Sequence, residues 1–127
     1  MTKVLVVEDE PSILNSYAFV FQKKGLDVTP VTNAKDALEA CKTAKFDVII
    51  LDMLLPEISG LDFLRQAELK KNSPETKVLV ISNTESAKIR DEAMQLGAVD
   101  YLMKVESTPY DLADKVIGLS ASPHAAP

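Results

Sequence analysis

Two hydrophobic periods alternate along the chain, and together they predict a repeated β–α unit. Short apolar or β-branched runs predict five strands, at 3–7, 27–31, 48–51, 77–81 and 99–103. Apolar residues recurring every three or four positions predict five helices, at 11–24, 33–44, 60–71, 85–96 and 109–119. Asn33 is placed to cap the second helix, and Gly97 is placed to end the fourth.

Strictly alternating strands and helices are typical of a parallel sheet covered on both faces. We therefore expect one α/β domain over residues 1–120, a doubly wound (βα)5 sheet in the flavodoxin-like order 2-1-3-4-5. That order places the second strand at an edge, where Pro30 is tolerated because one side of an edge strand is unpaired. Residues 121–127 are small and proline-rich, which predicts a flexible tail or the start of a linker, and His124, the chain's single histidine, lies there.

Polar residues stand where the predicted strands end. Glu8 and Asp9 follow the first strand, Asp52 the third, Ser82 the fourth and Lys104 the fifth. Ligands of open parallel sheets bind beyond the carboxyl ends of the strands, where the strand order reverses, so we expect these side chains to share one crevice. The three carboxylates and the lysine favour a hard cation such as Mg²⁺, with Mn²⁺ able to substitute. A carboxylate beside a metal and a lysine can attack phosphorus, which predicts phosphoryl transfer.

Each of these residues taken alone also has a structural explanation. Glu8 and Asp9 would favour the positive end of the first helix dipole, and a lysine or serine at a strand end is common. Asp52 is harder to explain in that way, because it ends an entirely apolar run and a buried charge is costly without a partner. The joint placement of all five residues favours a site.

Composition narrows the possible functions. The net charge of −5 argues against a nucleic-acid-binding surface, and no run of apolar residues is long enough for a membrane span. The acidic N-terminal segment does not resemble a signal peptide, and the single Cys41 excludes an internal disulfide, which is typical of a reducing cytoplasm. We expect a cytoplasmic protein. No glycine-rich phosphate-binding loop is present in the sequence.

Four segments, VLVVEDE, ILDMLLPEISG, VLVISN and GAVDYLMK, resemble the signature segments of a response-regulator receiver domain of the CheY-like type. The resemblance extends from residue 1 to about residue 119. It implies that Asp52 is the phospho-acceptor. It further implies metal ligands, phosphoryl-binding groups and switch residues: Asp9, Asp52, the Leu54 carbonyl and, through a water, Glu8 for the metal; the Met53 N–H, Ser82 and Lys104 for the phosphoryl group; and Ser82 and Tyr101 for the switch.

The resemblance also implies partners. A sensor histidine kinase or histidine phosphotransfer protein would donate the phosphoryl group, and the face of helix 4, strand 5 and helix 5 would signal to a downstream protein or to an output domain outside this chain. The protein would be no enzyme beyond its own phosphorylation and dephosphorylation. Leu54, two residues after the acceptor, predicts a long-lived acyl phosphate because it cannot orient a water.

Two alternatives stay open. Val105 follows Lys104 where the family usually has a proline. A valine favours a trans peptide at this position, which affects whether Lys104 can reach Asp52. This departure supports the first alternative, a pseudo-receiver that binds partners without phosphorylation. A small Mg²⁺-dependent phosphatase is the other alternative, and the sequence offers no candidate general acid or substrate pocket for it.

Overall fold

A computed structural model of the protein describes residues 2–121, and it confirms the predicted α/β fold. Five parallel strands form one sheet in the order β2-β1-β3-β4-β5. The strands are β1 (Lys3–Val7), β2 (Asp27–Val31), β3 (Val48–Asp52), β4 (Lys77–Ser82) and β5 (Ala98–Met103). The main helices are α1 (Pro11–Lys23), α2 (Ala34–Thr43), α3 (Gly60–Ala67), α4 (Ala87–Gln95) and α5 (Pro109–Ala121). The predicted tail begins at Ala121, which instead ends α5, and the rest of it, including His124, lies outside the described residues.

The sheet separates two layers of core because successive strand residues point to opposite faces. One face packs against α1 and α5, through Val4, Val6, Val48, Ile50, Leu79 and Ile81. The other face packs beneath α2, α3 and α4, through Leu5, Val7, Ile49, Leu51, Val78 and Val80. A side chain of this kind contributes about 1.5–3 kcal/mol when fully buried, so the central strands hold the domain together. No helix among residues 2–121 has the length and apolar character that spanning a bilayer requires.

Both edge strands of the sheet carry an irregular residue. Pro30 lies in β2, opposite Val6 of β1, and confirms the edge position expected for a proline. In β5, Val78 pairs with Ala98 while Leu79 pairs with Asp100, so Val99 is the extra residue of a bulge.

The prediction of one continuous helix across 60–71 is wrong. The helix ends at Ala67, Glu68 adopts a left-handed conformation with φ 47°, and one further helical turn spans Leu69–Asn72. A left-handed glutamate costs about 1–2 kcal/mol. The turn places Leu69 in the core with only 7% exposure, and this burial offsets the strain. A short 3-10 turn at Lys104–Glu106 is a second element that the pattern did not predict.

Candidate functional site

The carboxyl ends of β1 and β3 bring three acidic side chains together. Asp52 is the last residue of β3 and is 3% exposed, whereas Glu8, directly after β1, is fully buried. Asp9 is exposed at the mouth of the crevice. One carboxylate oxygen from each residue lies within 4.8 Å of the other two, so the acidic residues converge as the strand order predicts.

Both carboxylate oxygens of Asp52 have a partner. Lys104 Nζ donates a hydrogen bond to Oδ2 at 2.8 Å, and the Leu54 backbone N–H donates to Oδ1 at 3.1 Å. Sequence reasoning identified Lys104 but missed the Leu54 N–H. The Leu54 N–H could have been predicted, because aspartate side chains often accept a hydrogen bond from the backbone N–H two residues ahead. The predicted donation from the Met53 N–H concerns a phosphoryl group and stays a prediction.

Lys104 lies between two carboxylates. Its Nζ is 2.6 Å from Glu8 Oε1 as well as 2.8 Å from Asp52 Oδ2, and only 13% of its side chain is exposed. Burial alone would lower the pKa of Lys104, but the hydrogen bonds and charges of Asp52 and Glu8 outweigh burial and raise it. Every peptide bond described, including that to Val105, is trans. Lys104 therefore reaches Asp52 without the family's proline.

Glu8 keeps one carboxylate oxygen without a well-directed hydrogen bond. The Glu10 N–H donates to Oε2 at 3.0 Å, while Oε1 is buried and has only the close ammonium of Lys104 beside it. Burial raises the pKa of Glu8 and the charge of Asp52 adds to this, against the opposing effects of Lys104 and the Glu10 N–H.

These acidic residues fit a divalent cation. An under-coordinated buried oxygen next to two further carboxylates offers hard oxygen ligands, and one lysine leaves the acidic cluster with excess negative charge. Mg²⁺ uses one or two carboxylates together with waters, so this donor set suits it.

Ser82 and Tyr101 both form hydrogen bonds with the backbone of Thr84. Ser82, fully buried at the end of β4, accepts a hydrogen bond at Oγ from the Thr84 N–H at 3.0 Å. Tyr101 Oη, from β5, donates to the Thr84 carbonyl at 2.9 Å. Sequence reasoning did not find this connection, because it depends on where the loop after β4 lies relative to β5.

The loop after Asp52 is closely packed at one end and strained in the middle. A Cβ on Gly60 would lie 2.5 Å from the Asp52 carbonyl oxygen, so only glycine allows α3 to begin this close to β3. Glu57 has φ 65°, and the Ile58 N–H donates to the Pro56 carbonyl at 2.7 Å across it, as in a strained γ-turn. Leu54 is 64% exposed beside the acidic cluster.

Comparison with known proteins points to one family. The family model for the response regulator receiver domain matches residues 4–116. The sensory transduction protein RegX3 of Mycobacterium tuberculosis is 33% identical over 121 residues, which cover 95% of this chain and 50% of that protein. The alkaline phosphatase synthesis transcriptional regulatory protein PhoP of Bacillus subtilis is 32% identical over 102 residues, covering 80% and 42%. The chain spans about half the length of the curated relatives it matches.

Solved structures agree with the family model. The chemotaxis protein CheY4 of Vibrio cholerae superposes with a TM-score of 0.84 at 28% identity, covering 94% of this chain and 98% of that one. The receiver domain of the Francisella response regulator 1452 has a TM-score of 0.83 at 30% identity, with coverage of 94% and 97%.

Proposed function

Since the chain belongs to the response regulator receiver domain family of two-component systems, we propose that Asp52 accepts a phosphoryl group in a Mg²⁺-dependent reaction. The donor is a histidine kinase or a histidine phosphotransfer protein. The observation that carries this proposal is the meeting of Glu8, Asp9 and Asp52 at one crevice with Lys104 Nζ 2.8 Å from Asp52. Receiver domains are signalling proteins, and the chemistry proposed for this one is limited to its own phosphorylation and dephosphorylation.

The proposed metal ligands are Asp9, Asp52 and the Leu54 carbonyl, with Glu8 acting through a water. Bound there, Mg²⁺ or Mn²⁺ would neutralise negative charge on the acidic cluster and on the phosphoryl oxygens. Lys104 already neutralises part of this charge, and its contact with Asp52 keeps an ammonium beside the reacting carboxylate.

In the proposed transfer, an Asp52 carboxylate oxygen forms a bond to phosphorus while the N–P bond of the donor's phosphohistidine breaks. The bonding electron pair goes to the departing imidazole, which takes a proton from solvent. Lys104, the Ser82 hydroxyl and the Met53 N–H are the proposed contacts of the phosphoryl oxygens, so this chain's main contribution is positioning and charge.

The hydrogen bonds of Thr84 provide a route from this step to the surface. When the Ser82 hydroxyl turns to the phosphoryl group, it loses its hydrogen bond from the Thr84 N–H. The carbonyl of the same Thr84 accepts the hydrogen bond from Tyr101, so movement of Thr84 reaches Tyr101. Tyr101 then changes position, and the face of α4, β5 and α5 changes with it, a local charge event that biases a two-state surface. The proposed recipient is a downstream protein or an output domain, reached in the cytoplasm.

Intact mass measured after incubation with Mg²⁺ and acetyl phosphate tests the proposal. We expect wild type to gain one phosphoryl group, and we expect no gain for Asp52→Asn or for wild type with excess EDTA. Matching thermal melts show that the variant is folded. A folded wild-type protein that gains nothing from acetyl phosphate or from a phosphorylated donor would contradict the proposal and favour the pseudo-receiver.

A further inference from the structure

A cavity of about 250 Å³ lies between α2, α3 and β3, towards the end of β3 opposite Asp52. Its apolar lining comprises Leu38, Ala44, Phe46, Ile49, Ala67 and Leu69. Two lysines, Lys42 and Lys45, also line it. We propose that this cavity binds a small amphipathic anion, with an apolar body inside and a carboxylate at the two lysines. This site is separate from the phospho-acceptor site and does not depend on the proposed function.

The size and lining of the cavity favour a compact apolar body. A cavity of about 150 Å³ lined by aliphatic and aromatic side chains holds benzene, so this one has room for an aromatic ring with a short chain. Phe46, just before β3, and Ile49, within β3, are 7% and 0% exposed, and they provide a rigid apolar wall. Cys41 also lines the cavity. Burial raises the pKa of its thiol, which therefore stays neutral and adds to the apolar surface.

The two hydroxyl groups of the wall are already engaged with each other and with a backbone carbonyl. Thr76 Oγ1 donates to the Phe46 carbonyl at 2.6 Å, and Ser73 Oγ therefore donates to Thr76 Oγ1, also at 2.6 Å. Neither hydroxyl has a hydrogen left for a ligand. Gln66 and Asn72 also line the cavity, but their amides carry no charge. The hydroxyls thus leave the interior to apolar contacts, and the lysines supply the positive charge for the anionic end of a ligand.

Both lysines retain capacity for an anion. Lys45 Nζ donates one hydrogen bond, to the Asn72 carbonyl at 2.9 Å, which leaves two of its three hydrogens. Lys42 has only a loose surface contact with Glu39 at 3.4 Å, and such exposed pairs contribute little. Two lysines lining an apolar cavity complement a carboxylate, although the chain as a whole carries a charge of −5.

The single cysteine gives a direct assay, because Cys41 is the only thiol and lines the cavity. The rate at which iodoacetamide alkylates Cys41 is followed by intact mass, with 3-phenylpropanoate as the probe and the uncharged 3-phenylpropanamide as its matched control. We expect the carboxylate to slow alkylation with a millimolar dissociation constant, the range for so small a ligand, and the amide to protect more weakly.

Two double variants separate the lysines of the cavity from general charge. Lys42→Gln with Lys45→Gln should weaken protection by the carboxylate about fivefold. Lys35→Gln with Lys88→Gln, which changes the net charge equally away from the cavity, should leave protection unchanged. Alkylation that neither probe slows, equal protection by the amide, or an equal loss in both double variants would overturn the proposal.

Discussion

Gly60 lies tightly packed at the end of the loop that follows Asp52, and Gly60→Ala tests whether that packing positions Asp52. A Cβ at residue 60 would lie 2.5 Å from the Asp52 carbonyl oxygen and 2.8 Å from Met53 Cα. Both are backbone atoms, which cannot rotate away as a flexible side chain can. The new methyl group therefore has to push the start of α3 away from the end of β3.

The expected magnitude follows from two opposing effects. Forcing a methyl group into a packed site costs about 1–3 kcal/mol. Alanine is favoured over glycine in a helix interior by about 0.5–1 kcal/mol, and residue 60 is the first of α3, so little of that gain applies. We expect Gly60→Ala to lower the free energy of unfolding by about 1–2 kcal/mol, which lowers Tm by on the order of 5 °C.

Urea unfolding measures the change in stability, provided that the m-value is the same in both proteins. The rate of phosphorylation by acetyl phosphate reports whether Asp52 has moved. Gly118→Ala is the matched control, because residue 118 lies in α5 and its added Cβ meets nothing within 4 Å. That variant should be stabilised by about 0.5–1 kcal/mol. A Gly60→Ala protein as stable as wild type, with an unchanged phosphorylation rate, would show that the added Cβ does not displace Asp52.

Three further predictions concern strain, charge and the lifetime of the acyl phosphate. Glu57→Gly relieves the left-handed backbone of the γ-turn, and urea unfolding should show a gain of up to about 1 kcal/mol. Burial alone would raise the pKa of Asp100, but the hydrogen bonds from Lys115 and the Tyr101 N–H, together with the charges of Lys115 and Arg90, outweigh burial and lower that pKa below the usual 3.8. This pair should therefore stabilise the fold above pH 3.8 and lose its effect as the pH falls through the lower folded value, so the stability difference between wild type and Asp100→Asn should vanish in acid. Leu54→Asn should shorten the acyl phosphate lifetime measured by intact mass, because an amide can orient a water where leucine cannot.

Each of these predictions has an outcome that contradicts it. If Glu57→Gly leaves the free energy of unfolding unchanged or lowers it, the left-handed backbone at residue 57 is not strained. The contribution of the Asp100 pair should stay below about 1 kcal/mol because both side chains are more than a third exposed, so a difference that persists in acid would assign the effect to something else. An unchanged or longer phosphate lifetime in Leu54→Asn would remove the argument from water access.

The strands could be predicted because their signals are local and strong, and the acidic cluster followed from the order of those strands. β1 and β2 have the predicted bounds, and the proline in β2 agreed with the strand order derived from the helix count. The convergence of Glu8, Asp9 and Asp52 followed from strand order alone, since parallel strands end at one edge of a sheet.

The remaining features depend on tertiary contacts that no local pattern encodes. Glutamate is a good helix former, so nothing at Glu68 predicted that α3 would break there to bury Leu69. The left-handed Glu57 was equally unmarked, because its conformation is imposed by the loop between Asp52 and Gly60. The connection through Thr84 required the relative positions of two strands and a loop.

The irregular residues at the two edges of the sheet also have a consequence for behaviour at high concentration. An exposed edge strand presents unpaired N–H and C=O groups on which another chain can add a strand. Pro30 removes one N–H from β2, and the bulge at Val99 disturbs the regular spacing of β5. The domain therefore resists growth by edge-to-edge pairing from either side, which protects a sheet whose central strands are strongly apolar from forming β-rich aggregates.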